Sequence, residues 1–180
     1  MKNYFIIHAL GNDSNSHWYQ IVKKQIEKSG SKCYTPTLPP IEQMSYNSWS
    51  KEFDKYKHLL NSDSIVIGHS TGSIFLVKYL MTNNIKVAKY IGVVSFNNRN
   101  KYNAKPEWDK INETFFVNNL RDFKNFAEER ICFYSPSDIY DFDSLNSFAE
   151  TIDAKKVIIE NAGHFTKGYE KEFKEIIEYL

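Results

Sequence analysis

The chain predicts a doubly wound α/β fold: three α/β/α layers around a mostly parallel sheet of five or six strands. Three observations carry this reading. Short apolar runs such as Ile65-Val66-Ile67 alternate with stretches whose apolar residues recur at helical spacing, as in successive βαβ units. Those runs are apolar at consecutive positions, as strands covered on both faces must be. The 180 residues, 42% hydrophobic and 25% charged, match one globular domain without linker, repeat or low-complexity tract. A domain of this size buries roughly 70% of its unfolded surface and needs neither disulfide nor metal to fold.

The elements follow in order. Tyr4-Phe5-Ile6-Ile7 is a first strand, leading into a loop from His8 to Ser16 rich in Gly, Asn, Asp and Ser. Trp18, Ile21, Val22 and Ile26 share a helix face that stops at Gly30. Lys32 to Thr35 is a short strand ended by Pro36, Pro39 and Pro40. Trp49, Phe53, Tyr56 and Leu60 mark a second amphipathic helix. The strand Ile65 to Ile67 precedes Ile74 to Met81, apolar on nearly every side except Lys78 and therefore a buried helix. Tyr90 to Ser95 is the next strand.

An insert covers residues 97–130. Its Trp108, Phe115 and Phe116 either pack against the sheet edge or roof a site, and both readings stand. Ile131-Cys132-Phe133-Tyr134 is a strand, Leu145, Phe148, Ala149 and Ile152 a helix face, and Val157-Ile158-Ile159 a last strand. Tyr169, Phe173, Ile176, Ile177 and Leu180 place one more helix at the C-terminus.

Charge excludes several partners. Lys+Arg 23 against Asp+Glu 22 leaves no general attraction for nucleic acid or anionic membrane. Arg99, Lys101 and Lys105 are diluted by asparagines and read as a solvated loop. No stretch approaches the roughly 20 apolar residues of a transmembrane helix, and the N-terminal apolar run is too short for a signal-peptide core. Cys33 and Cys132 form no CxxC pair and suit a reducing, cytoplasmic compartment.

Sites in open α/β sheets gather at the carboxyl ends of strands. Behind Ile65-Val66-Ile67 stands Gly68-His69-Ser70-Thr71-Gly72, a G-x-S-x-G between a buried strand and a buried helix. There a serine sits on a strained turn, flanked by small residues that let strand and helix approach. The Thr71 N–H then points at a developing oxyanion. A serine hydroxyl needs a base, and the base an acid to orient it. In the chain order Ser, acid, His, Asp138 follows one strand and His164 follows the next. The candidate triad is Ser70, Asp138, His164. Asp141, Asp143 and Glu160 are the other carboxylates after these strands, with Asp141 and Asp143 placed to cap a helix. A second oxyanion donor is expected in the loop after the first strand, at Leu10 or else Ala9. His8 and His69 read as structural, His17 as a packed helix-start residue and His58 as solvated. The five histidines form no HxxxH or HxH pair, so no metal site is expected.

At these residues the chain resembles the α/β-hydrolase superfamily. Within it, the resemblance is to the small lidless serine hydrolases that include the retinoblastoma-binding serine hydrolase and its bacterial relatives. It covers almost the whole chain and rests on His8 to Leu10 with His17-Trp18 downstream, Gly68 to Gly72, Ser135-x-x-Asp138, and Gly163-His164-Phe165. It implies cofactor-free hydrolysis of esters or amides of small substrates, carboxylesterase-like first, with thioesterase or aminopeptidase as variants. A protein-binding module on the same fold is the alternative reading. One departure stands out: such enzymes usually carry Gly after the first-loop histidine, and here it is Ala9, strained wherever φ must be positive.

Overall fold

The computed structural model describes residues 2–99, 106–166 and 174–180; Lys101, Lys105, Tyr169 and Phe173 lie outside them. Six parallel strands form one sheet in the order β2-β1-β3-β4-β5-β6: β1 Asn3–Ile7, β2 Lys32–Tyr34, β3 Ile65–His69, β4 Val87–Val93, β5 Ala127–Tyr134 and β6 Lys155–Ile158. The register pairs Ile7 with Gly68, His69 with Val93, Val93 with Phe133 and Tyr134 with Ile158. The carboxyl ends of five strands therefore lie level along one edge. The strand order reverses at β1, whose neighbours β2 and β3 lie on opposite sides. This is the switch point where a crevice opens in such sheets.

Helices α1 Tyr19–Lys28, α2 Tyr46–Phe53, α3 Thr71–Thr82, α4 Pro106–Glu113 and α5 Phe142–Thr151 fill the connections. Gly30, with φ +83°, turns the backbone just beyond α1. Ser45 caps α2 through a reciprocal pair of hydrogen bonds with Ser48. The α3 helix is buried from Thr71 to Val77. Its single charged residue, Lys78, sits 4.7 Å from the Tyr46 ring centroid and donates to the Thr114 carbonyl at 2.8 Å. The exception in an otherwise apolar helix thus ties it to α2 and to the insert. Much of the aromatic content serves one cluster, in which Phe53, Phe75, Trp49 and Phe115 meet edge to face at 5.2–5.5 Å.

Four expectations change. The second amphipathic helix leaves α geometry at Phe53 and continues as a 3₁₀ segment, Asp54–Leu59. Tighter winding brings positions i and i+3 into line, so the Phe53 and Tyr56 rings stack at 6.0 Å. Strand β4 ends at Val93, because Val94 takes φ +55° and turns the chain. Strand β5 starts at Ala127, four positions before its apolar run, because its polar beginning pairs outward: Glu129 accepts Lys89 at 3.1 Å. Ile21 is 40% exposed and lies outside the buried face of α1. Lys155 and Lys156 open β6, where charge protects an edge strand from further pairing. Among the described residues no helix is long and apolar enough to cross a membrane.

Candidate active site

Ser70 occupies the turn between β3 and α3 with φ +53° and ψ −121°, a conformation that costs of order 1–3 kcal/mol for a non-glycine residue. Three contacts hold it. The Ser70 N–H donates to Val93 O at 2.8 Å, and its carbonyl accepts both the Ser73 N–H at 2.9 Å and the Ser73 hydroxyl at 2.6 Å. The two glycines have separate steric reasons. A Cβ on Gly68 would stand 2.4 Å from Ser73 Cα, at the strand–helix crossing. A Cβ on Gly72 would stand 2.4 Å from the carbonyl oxygens of both Ile7 and His8. The second glycine therefore lets the start of α3 press against the end of β1, beside the loop that carries Leu10.

His164 joins the serine to the acid. Its Nε2 lies 3.0 Å from Ser70 Oγ, and its Nδ1 lies 3.0 and 3.1 Å from the two Asp138 carboxylate oxygens. The Asp138 side chain is fully buried and also accepts the Tyr140 N–H at 2.8 Å. The Tyr140 ring stacks on His164 at 5.8 Å and 17°, and on Phe96 at 4.5 Å. Nδ1–H faces the carboxylate, so Nε2 presents its lone pair to the serine. The alternative acids are elsewhere: Asp141 accepts the Ser144 hydroxyl, and Glu160 and Asp143 are exposed. Asp141 takes the N-cap position of α5 but makes no capping hydrogen bond with its side chain, contrary to expectation.

The loops bearing Asp138 and His164 are stitched together. Ala162 N–H donates to Ser135 Oγ at 3.1 Å and Gly163 N–H to Ser137 Oγ at 3.0 Å. These two serines explain the Ser135-Pro136-Ser137-Asp138 sequence, whose role no spacing rule reveals.

Leu10, Thr71, Ser70 and His164 line one cleft of about 260 Å³ with Asn12, His17, Trp108, Asn112, Ile139 and Tyr140. Thr71 stands first in α3, where a helix N–H has no intrahelical acceptor. Its hydroxyl donates to Asn112 Oδ1 at 2.7 Å, linking the turn to α4. The Ala9 N–H is already committed to the Tyr19 hydroxyl at 3.1 Å. Ala9 is absent from the positive-φ positions; that conformation falls on Gly11, φ +69°, so alanine is unstrained here. Within the insert, Trp108 and Asn112 line the cleft, whereas Phe115 is buried against Trp49 of α2. Sequence reasoning missed Asn112 and Tyr140, neither of which belongs to a motif. A larger groove of about 430 Å³, lined by Asn97, Asp141, Asp143 and Phe148 among others, holds none of Ser70, Asp138 or His164.

Two histidines are structural, as expected. His8 accepts the Leu38 N–H on Nε2 at 3.0 Å, so its Nδ1–H donates to Ala9 O at 2.9 Å. Burial lowers its pKa. His69, fully buried, bonds through both ring nitrogens. His17 departs from its expected packing role, since its ring lines the cleft, with Nε2 2.6 Å from Asn12 Oδ1. Burial and then the nearby His164 lower its pKa.

The chain is 24% identical over 169 residues to the YdeN protein of Bacillus subtilis (strain 168), covering 91% of this chain and 86% of that one. The crystal structure of the B. subtilis ydeN gene product superposes with TM-score 0.85 at 22% identity, over 100% of this chain and 97% of that one. Est1E from Butyrivibrio proteoclasticus, solved with ferulic acid bound, superposes with TM-score 0.71 at 13% identity, over 99% and 86%. These likenesses establish the α/β-hydrolase fold. The family model described as serine hydrolase matches residues 4–178, and the chain belongs to that family.

Proposed function

We propose that this hydrolase cleaves esters or amides of small substrates, esters foremost, through Ser70, His164 and Asp138 and an acyl-enzyme intermediate. The observation that carries the reading is the chain from Ser70 Oγ through the His164 ring to the Asp138 carboxylate, with hydrogen-bond distances of 3.0 Å at Nε2 and 3.0–3.1 Å at Nδ1. His164 Nε2 takes the Ser70 proton as Oγ bonds to the substrate carbonyl carbon. The electron pair of the C=O moves onto oxygen, where the N–H groups of Thr71 and Leu10 receive it; one such donor is worth about 3 kcal/mol of barrier. Collapse expels the alcohol or amine, which leaves with the proton from His164. Water then repeats the sequence on the acyl-enzyme, and His164 returns the proton to Ser70. Asp138 holds the ring tautomer and stabilises the imidazolium.

Cleft volume supports a small acyl group, since 260 Å³ lies below the usual range of roughly 300–1,000 Å³ for drug-sized ligand pockets. Leu10, Trp108, Ile139 and Tyr140 supply apolar wall, so the preferred acyl group is short and apolar or a single ring. Two free, buried cysteines fit a cytoplasmic setting. The test is a fluorophosphonate probe, which reacts only with an activated serine. It should label the protein once, at Ser70, and Ser70→Ala should remain unlabelled; labelling that survives this change would overturn the assignment. A series of p-nitrophenyl esters should then show kcat/KM falling beyond short acyl chains.

A further inference from the structure

Beneath the cleft, the side chain next to Ser70 in sequence joins the loop after β1 to the loop that carries the base. His69 Nδ1 lies 2.7 Å from the Tyr19 hydroxyl, and His69 Nε2 lies 2.9 Å from the His164 carbonyl oxygen. The Tyr19 hydroxyl in turn accepts the Ala9 N–H at 3.1 Å. Every proton in this chain has one possible position. The His164 carbonyl can only accept, so His69 Nε2 carries hydrogen. The Ala9 amide can only donate, so Tyr19 Oη receives it. Neutral His69 then offers a lone pair at Nδ1, and Tyr19 donates into it. The directed chain is Ala9 N–H to Tyr19 O–H to His69 Nδ1, with His69 Nε2–H to His164 O.

We infer that Tyr19 and His69 are positioning residues that hold the Leu10 oxyanion loop and the His164 loop in register on either side of Ser70. The inference rests on the proposed triad. Fixing the Ala9 amide sets the start of the peptide unit sequence that presents the Leu10 N–H, and fixing the His164 carbonyl sets the backbone from which the base reaches Ser70. Both loops run over the carboxyl edge without strand pairing to hold them. A fully buried imidazole whose neighbours accept and donate in fixed senses is a rigid bracket.

The surroundings keep the bracket in one protonation state. His17 and His164 stand 5.7 and 5.4 Å from His69 ring to ring, with Trp18 and Tyr19 completing its aromatic contacts. Burial, reinforced by the like charge that His164, His17 and His8 would carry, pushes its pKa well below the ordinary value. Protonation would also put hydrogen on Nδ1, facing a tyrosine hydroxyl whose own hydrogen already points there. The tautomer therefore persists across the working pH range.

The test compares Tyr19→Phe, His69→Gln and His69→Leu with the wild type, using p-nitrophenyl acetate turnover per active site titrated by fluorophosphonate. Titration counts only folded, reactive sites, so loss of folded protein cancels. Tyr19→Phe keeps the ring contacts with Trp18 and His69 and removes only the hydroxyl. It should lower kcat about tenfold or more, the scale of small misplacements of catalytic groups, with KM within about threefold. His69→Gln retains one donor and one acceptor and should recover a large part of what His69→Leu loses. Tyr19→Phe turnover per titrated site equal to wild type, or His69→Gln no better than His69→Leu, would overturn the inference. A wild type that is not labelled at Ser70 would overturn the underlying triad, and the bracket with it.

Discussion

Replacing Asp138 by Asn tests the acid and the direction of the His164 ring together. In the structure Asp138 Oδ1 accepts the Tyr140 N–H at 2.8 Å, so an asparagine keeps its carbonyl there. Its NH₂ group then falls at the position of Oδ2, 3.1 Å from His164 Nδ1. Two N–H groups repel at that distance; the retained Oδ1 also lies 3.0 Å from Nδ1 but already accepts the Tyr140 N–H, so the expected outcome is the tautomer in which Nδ1 accepts from the NH₂ and the ring hydrogen sits on Nε2. That hydrogen points at Ser70, and no lone pair remains to take the serine proton. The same Asp-to-Asn exchange in the Ser-His-Asp triad of a serine protease lowers kcat about 10⁴-fold, equivalent to about 5.4 kcal/mol of barrier. A similar loss is expected here, because both carboxylate oxygens face Nδ1 and the side chain is fully buried. Folding should survive, since the replacement is isosteric and retains the Tyr140 bond. The assay is kcat on p-nitrophenyl acetate alongside thermal unfolding. Asp141→Asn is the control and should stay within a few-fold, because Asp141 binds Ser144 and not His164. A deep loss in Asp141→Asn with Asp138→Asn near wild type would refute the reasoning, while leaving Ser70 and His164 in place.

Other outcomes follow from the same contacts. Gly72→Ala brings a Cβ to 2.4 Å from the Ile7 and His8 carbonyl oxygens, so β1 and α3 must separate; urea unfolding should show a loss of about 1–3 kcal/mol, with ester turnover reduced as well. Ser135→Ala strands the buried Ala162 N–H, and should cost about 1–3 kcal/mol with a lower kcat as the His164 loop loosens. Stability should fall as pH drops below about 6.5, where the unfolded chain takes up protons that buried His8 and His69 refuse. The sign follows from their lowered folded pKa values: each contributes fully above the unfolded pKa and progressively less below it, up to about 1.4 kcal/mol per pH unit. Urea unfolding at pH 7.5 and 5.5 measures the difference, His69→Gln should make it shallower, and equal stability at both values would contradict the assignment.

The strands and the strained turn at Ser70 were legible in the sequence for a local reason. A parallel strand covered on both faces must be apolar at consecutive positions, and Ile65-Val66-Ile67 announces itself without reference to any partner. The glycines at 68 and 72 are equally local in appearance, although their contacts, Ser73 Cα for one and the Ile7 and His8 carbonyls for the other, span very different distances along the chain. Chain order made Asp138 and His164 the candidates after two successive strands, but left Asp141, Asp143 and Glu160 as other carboxylates near the same edge; the hydrogen bonds to His164 fall on Asp138. Boundaries were less legible where polar residues continue a ladder, as from Ala127 to Arg130, or where a β-branched residue turns, as at Val94. Tertiary structure alone decided what surrounds the three side chains. Asn112 reaches Thr71 from α4, Tyr140 stacks on His164, and His69 links Ala9 through Tyr19 to the His164 loop. These contacts join residues as much as 95 positions apart, and each is set by the direction in which a side chain leaves its own element. Hydrophobic periodicity records which face of an element is buried; it carries no record of which polar group on another element waits there.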